Sequence, residues 1–237
     1  MVSLQAANIL RRSLIPLWLF FSLSWSVATG EDAESVGYDK HLCKTGPHKM
    51  RNLYPDPDPQ APENFEFTWQ TTVAGREDDE IVIQVNRAWS PHGVDRFYQL
   101  LLDGYFDCAP IFRVAPGYVV QLGIASEPEE FKKWDTPIPD DPVKQSNKYG
   151  YIAFAAAGPG SRTTQIFINL ADNTQLDSMG FAPFAKVVKG MDIIEALYNP
   201  TPGEKYGITQ EPIRQNGNKW ILEKYPKVDL IQGLPQK

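Results

Sequence analysis

Residues 65–69, Phe-Glu-Phe-Thr-Trp, alternate apolar and polar side chains, the period of two that marks a half-buried strand. Residues 80–85 (EIVIQV) read as a second strand, after a turn that begins at Ala74-Gly75. Ser90-Pro91 announces a helix, with Ser90 as N-cap and Pro91 in the first helical position. Val94, Phe97, Leu100 and Leu101 fall on one face of that helix, and Gly104 suits its C-cap. Short strand signals follow at 111–115, 118–123, 151–156, 165–169 and 185–188, with a second short helix at 190–198. Residues 220–225 and 228–231 are candidates to close the sheet. The stretch 125–148 is rich in turn chemistry (Pro137, Pro139-Asp140-Asp141-Pro142) and reads as a surface loop. Many short strands with two helices predict a mainly β fold, a closed antiparallel barrel capped at its ends.

The pattern starts only near residue 64. Residues 31–63 are polar and broken by Pro47, Pro55, Pro57, Pro59 and Pro62, which reads as an extended arm without a core. Residues 1–30 have the layout of a signal peptide. Arg11-Arg12 precedes an apolar run over 13–27, and Ala28-Thr29-Gly30 offers small residues for cleavage before Glu31. The alternative is an uncleaved anchor, although Pro16 interrupts the run and it falls short of the roughly 20 apolar residues a spanning helix needs. The expected organisation is therefore leader 1–30, arm 31–63, folded domain 64–232 and tail 233–237.

Composition narrows the partners. The 237 residues carry a net charge of -6, so neither nucleic acid nor an anionic membrane surface is attracted by charge; a membrane is a partner only if the leader stays as an anchor. The two cysteines, Cys43 and Cys108, are a disulfide candidate in a secretory compartment, or two unlinked thiols. Asn199-Pro200-Thr201 is no glycosylation site, because proline occupies its middle position. His41, Cys43 and His48 lack the further ligands of a structural zinc site, and His92 falls in the exposed first turn of the predicted helix. Asp140-Asp141, between prolines, reads as a solvated turn. No nucleophile elbow, phosphate loop or dinucleotide fingerprint is present, and no cofactor is called for.

What stands out is an arginine among apolar strands. FRVAPGYVVQ (112–121) sets Arg113 before a Pro-Gly turn and a strand that ends in Gln121. YIAFAAAGP (151–159), SRTTQIFIN (161–169), Leu176-Asp177 and GFAPFAKV (180–187) follow. In this order and spacing the blocks resemble the signatures of the cyclophilin family of peptidyl-prolyl cis-trans isomerases, most closely a divergent bacterial and algal branch. The resemblance spans about residues 65–231. It implies an eight-stranded antiparallel barrel capped by two helices, isomerisation of X-Pro bonds without a cofactor, proline-containing polypeptides as partners, and a monomer.

Residue by residue, the resemblance makes Arg113 the catalytic arginine and Gln121 its glutamine partner. Phe167 becomes the floor of the proline pocket and Leu176 its wall. Tyr118 and Val119 take the places of the usual Phe and Met, and Ala155 supplies groove backbone. Phe112 replaces the usual His before the arginine and is carried over as a substrate-binding position. Ala156 stands for a peptide-contacting Asn, and Gln175 for the Trp tied to cyclosporin binding. The pocket His has no clear counterpart, with Gly180 or Phe181 nearest. Such a site fits the chemistry. The amide barrier of about 18–20 kcal/mol falls when the bond twists, and a fixed guanidinium can donate to the prolyl nitrogen only in that twisted state. Two other readings are a proline-peptide binding module and an assembly subunit that uses the arm. Retention of Arg113, a cation costly to desolvate, favours catalysis. The leader implies the secretory pathway, lumenal or secreted, with a membrane-anchored form or a plastid reached by that route as alternatives.

Overall fold

The computed structural model describes residues 59–233. The leader, Cys43, His41, His48, all but the end of the arm and the last four residues lie outside the described residues. One antiparallel sheet organises the rest. Its strands are β1 Asn64–Thr71, β2 Ile81–Asn86, β3 Ala109–Pro110, β4 Arg113–Ala115, β5 Val119–Leu122, β6 Tyr151–Phe154, β7 Ile166–Asn169, β8 Pro183–Lys189 and β9 Leu230–Gly233. The order is β3-β9-β1-β2-β8-β6-β7-β5-β4. Helices α1 Pro91–Leu102, α2 Pro128–Trp134, α3 Met191–Glu195 and α4 Gln210–Lys224 complete it.

The expected mainly β antiparallel fold is borne out; among the described residues it is a curled sheet of nine strands with four α-helices, where eight strands and two helices were expected. The sequence-based strand over 111–115 divides, because Ile111 and Phe112 leave the ladder. Those two residues join the sheet's opposite ends, β3 and β4, so the ends meet through the chain and not through a ladder. Residues 220–225 belong to α4 and not to a strand. Residues 125–148 contain α2, whose Phe131 is buried. At 220–225 a short amphipathic run satisfies helix and strand templates alike, and at 128–134 the surrounding turn residues obscured a short helix anchored by buried Phe131; tertiary burial decides both.

Burial on both sheet faces explains the run-on hydrophobicity of β5 and β7, in which every residue is buried. Even-numbered Val120, Leu122, Ile152, Phe154, Ile166 and Ile168 join the main core, beside Trp69, Phe97 and Phe184. Odd-numbered Val119, Ala153 and Phe167 point to the other face and form a separate small cluster with Leu176.

The start of α1 departs from the expected N-cap. Ser90 makes no side-chain cap bond to its own helix. Its Oγ instead donates to Asp141 Oδ2 (2.7 Å), and the Asp141 carboxylate accepts the N–H groups of His92 (3.1 Å) and Gly93 (3.0 Å). Asp141 is therefore no solvated turn residue. It caps α1 from 48 residues away, with its negative charge at the positive end of the helix. Buried Arg162 neutralises it, Nη2 to Oδ2 at 3.0 Å. The helix closes as expected: Gly104 has φ +66°, Tyr105 N–H donates to Leu100 O and Gly104 N–H to Leu101 O.

Candidate active site

Strand register builds the site. Arg113 pairs directly with Gln121 across β4–β5, Gln121 with Phe167 across β5–β7, and Phe167 with Ala153 across β6–β7. Directly opposed residues share a sheet face, so these four side chains form one row across four strands. Val119, two residues before Gln121, lies on the same face.

Arg113 is half-buried. Its Nη1 donates to Gln121 Oε1 at 3.0 Å, and its guanidinium carbon lies 5.6 Å from the centre of the Tyr118 ring. Its buried Nε has no partner. The segment before α4 presses on it from behind. Gly207, at φ +74°, brings its backbone so close that a Cβ there would stand 2.6 Å from Arg113 Cβ and 2.5 Å from Phe112 O. Ile208 N–H donates to that same Phe112 oxygen at 2.8 Å. Only glycine permits both the dihedral and the approach.

Beside the arginine, Val119, Phe167 and Leu176 form an apolar pocket, with Tyr118, Ala155 and Phe181 packed against it. The Phe181 ring meets Phe167 edge-on at 5.6 Å. An asparagine network fixes the Leu176–Phe181 wall. Asn147 Nδ2 donates to Asp177 Oδ1 and Phe181 O, Asn169 Nδ2 to Asn147 Oδ1, and Asn173 Nδ2 to Asn169 Oδ1 and Tyr118 O. Burial acts to raise the Asp177 carboxyl, but hydrogen bonds from Ser146 and Asn147 outweigh it and hold its pKa below the ordinary range. The facing wall, residues 155–163, is held from behind where Arg96 Nη1 donates to Thr163 O.

The groove so enclosed has a volume of about 620 Å³. Seven of the eight sequence-predicted substrate and catalytic residues line it: Arg113, Tyr118, Val119, Gln121, Ala155, Phe167 and Leu176. Phe112 is the correction. Its ring is fully buried in the main core, because neighbouring strand residues face opposite ways and Arg113 faces the groove. Sequence reasoning assigned no role to Gln165, Gln210 or Arg214, which also line the groove. Gln165 was within reach, since it stands two residues before Phe167 and shares its face. Gln210 and Arg214 were not, because they are brought in by a helix that was read as a strand farther along.

The groove's charged lining is Arg113, Arg214 and an exposed Asp135, which leaves it cationic. Among the described residues no group of His, Cys, Asp or Glu is placed to hold a metal ion. What the arrangement offers is a fixed guanidinium at the mouth of an apolar slot. It can bind a small ring and donate a hydrogen bond to an atom held there.

The chain matches known proteins over this region. The family model described as cyclophilin type peptidyl-prolyl cis-trans isomerase/CLD matches residues 68–216. A peptidyl-prolyl cis-trans isomerase of Acinetobacter baylyi is 31% identical over 142 residues, covering 57% of this chain and 74% of that one. Peptidyl-prolyl cis-trans isomerase A of Dickeya dadantii is 32% identical over 133 residues, covering 54% and 68%. A crystal structure of a cyclophilin type peptidyl-prolyl cis-trans isomerase of Cryptosporidium parvum superposes with a TM-score of 0.53 over 73% of this chain and 99% of that one, at 15% identity. That likeness bears on the fold alone.

Proposed function

Because the chain belongs to the cyclophilin-type peptidyl-prolyl cis-trans isomerases, we propose that Arg113 is the residue that lowers the barrier to rotation about an X-Pro bond in this groove. The observation that carries the reading is the four-strand row that sets the Arg113 guanidinium against Gln121 and beside Phe167. Members of the family bind proline-containing peptides. The pyrrolidine ring would sit on Phe167, between Val119, Leu176 and Phe181. As the amide twists, resonance is lost and the prolyl nitrogen gains a lone pair. The guanidinium donates to that lone pair. The ground-state amide nitrogen has no lone pair to accept it, so the interaction stabilises the transition state selectively. The apolar pocket excludes water and strengthens the donor. Gln121 orients Arg113. No bond is made or broken, and no nucleophile is needed.

Exchange NMR on a short X-Pro peptide tests this reading. Catalytic amounts of protein are expected to produce cross peaks between cis and trans resonances, which do not exchange on that timescale unaided. Binding shifts without exchange peaks would instead favour a proline-peptide binding module.

The expected clients are secretory or exported polypeptides, and the protein is expected to act as a monomer. The basis for the secretory clients is the leader-like pattern over 1–30 and the two cysteines, Cys43 and Cys108, and that for the monomer is the family resemblance. Cys108 is disulfide-bonded, and Cys43 lies outside the described residues. Intact mass spectrometry of protein from a secretory host checks the leader cleavage and the bridge. A chain starting at Glu31, about 2 Da lighter before reduction than after, is expected from loss of two thiol hydrogens. A full-length chain with no mass change on reduction would overturn both the cleavage and the bridge.

A further inference from the structure

On the isomerase reading of the groove, we propose that Gln210 and Arg214 of α4 are positioning residues, which hold Arg113 through a hydrogen-bonded relay of side-chain amides. The relay is continuous. Arg113 Nη1 donates to Gln121 Oε1 (3.0 Å), Gln121 Nε2 to Gln165 Oε1 (2.9 Å), and Gln165 Nε2 to Gln210 Oε1 (2.9 Å). Arg214 Nη2 donates to that same Gln210 oxygen at 2.9 Å. Both ends of the relay are guanidiniums, which can only donate. Gln121 and Gln165 each accept from the Arg113 side and donate toward Gln210. The two directions converge on Gln210 Oε1, whose two lone pairs take both bonds.

This arrangement decides which way each amide points. A glutamine amide is nearly symmetric in shape, so packing alone does not stop it turning over. If Gln121 turned over, it would aim N–H groups at the Arg113 guanidinium, and its own oxygen would lose the donor. Gln165 prevents that by accepting from Gln121 Nε2, and Gln165 is held in turn by Gln210. Arg214 locks the far end. Its guanidinium lies 5.3 Å from the Phe131 ring centre of α2, which fixes it against the body of the domain. Low-dielectric surroundings strengthen such chains and make a broken link costly.

The fold places this relay with care for position. Gly207 and Ile208 tie the lead-in of α4 to the Phe112–Arg113 backbone. Farther on, Gly217 leaves helical geometry (φ +58°, ψ -149°), and a Cβ there would stand 2.2 Å from Ser126 O. Asn218 N–H donates to that oxygen at 2.9 Å. The first half of α4 is thus pinned at both ends, with Gln210 and Arg214 one turn apart on the face toward the groove.

The relay predicts a loss in turnover and not in binding. Gln210→Leu removes the convergent acceptor at a half-buried surface position. It is expected to lower kcat about tenfold, the scale of one weakened charge-assisted hydrogen bond in the transition state, with peptide Kd by NMR titration changed less than about twofold. Gln210→Glu keeps an oxygen that can accept from both Gln165 and Arg214, and is expected to restore most of the lost rate. The decisive measurement is a double-mutant cycle. If Gln210 acts through Gln121, Gln210→Leu should cost little in a Gln121→Ala background, where the relay is already cut. An equal fold-loss in both backgrounds, or an unchanged kcat in Gln210→Leu with its fold intact by circular dichroism, would overturn the relay while leaving the isomerase reading in place. Wild-type protein without isomer exchange would overturn both.

Discussion

Arg113→Ala is expected to lower kcat/KM by about 10²–10³-fold in a protease-coupled assay on an X-Pro peptide, the usual consequence of removing one preorganised transition-state donor. The peptide should still bind. Its ring is held by Val119, Phe167, Leu176 and Phe181, none of which depends on the arginine for its place. Peptide Kd is therefore expected to rise only a few-fold, so that nearly all the loss appears in kcat. Arg113→Lys separates charge from geometry. It keeps the positive charge but loses the planar fork that reaches Gln121 and lies over Tyr118, and it should recover only a small part of the rate. An alanine variant within a few-fold of wild type would remove Arg113 from the mechanism.

The second large effect is on stability. Arg162→Met should destabilise the domain by about 3–5 kcal/mol, because it strands the buried Asp141 charge without its counter-ion. For a domain of this size that is a fall in Tm of roughly 6–20 °C. The pair joins elements that are otherwise apart. Arg162 also donates to Ser90 Oγ and Pro139 O, while Asp141 caps α1. Ser161 and Thr163, on either side of Arg162, line the groove, so the substitution should also loosen that wall. Scanning calorimetry with a wild-type Tm would refute the assignment.

Acid should act through the same pair. Burial works to raise the Asp141 carboxyl, but Ser90, the Gly93 and His92 N–H groups and Arg162 together hold its pKa below the ordinary value. A depressed carboxylate stabilises the fold fully above its unfolded pKa of about 4, and that contribution disappears as pH falls through the folded value. Asp95, held down by Arg87 and Ala61 N–H against its own burial, adds to the same acid limb. Asp229 has the opposite sign, since burial raises it, and it offsets part of the loss. The acid-induced fall in stability should be shallower in Asp141→Asn than in wild type, although the variant starts from a lower neutral-pH value.

Several features were legible from local pattern alone. The alternation at 65–69 and 80–85 marked β1 and β2, and Ser90-Pro91 with Gly104 bracketed α1. The ordered motifs around Arg113, Gln121 and Phe167 pointed to the groove. Period-2 logic could have added Gln165, two residues from Phe167 on the same strand face. Other features were misread for a common reason. Asp141 looks solvated between prolines until Arg162 and the α1 N–H groups are folded onto it. Residues 220–225 look like a strand because the Gly217 kink interrupts the helical period that would identify α4.

The sequence by itself thus determined the side chains available, a guanidinium, an amide and an aromatic ring on neighbouring predicted strands, and the resemblance of their ordered motifs gave them expected roles. It could do so because alternation and motif spacing are local properties of the chain. Only the tertiary structure decided that Arg113, Gln121, Phe167 and Ala153 stand in one row, since a one-residue slip in any ladder would turn a side chain to the other face. It also decided that Phe112 belongs to the core, and that Gln210, 45 residues beyond Gln165, completes the relay. Those outcomes depend on hydrogen bonds and burial between segments distant in sequence, which no local pattern encodes.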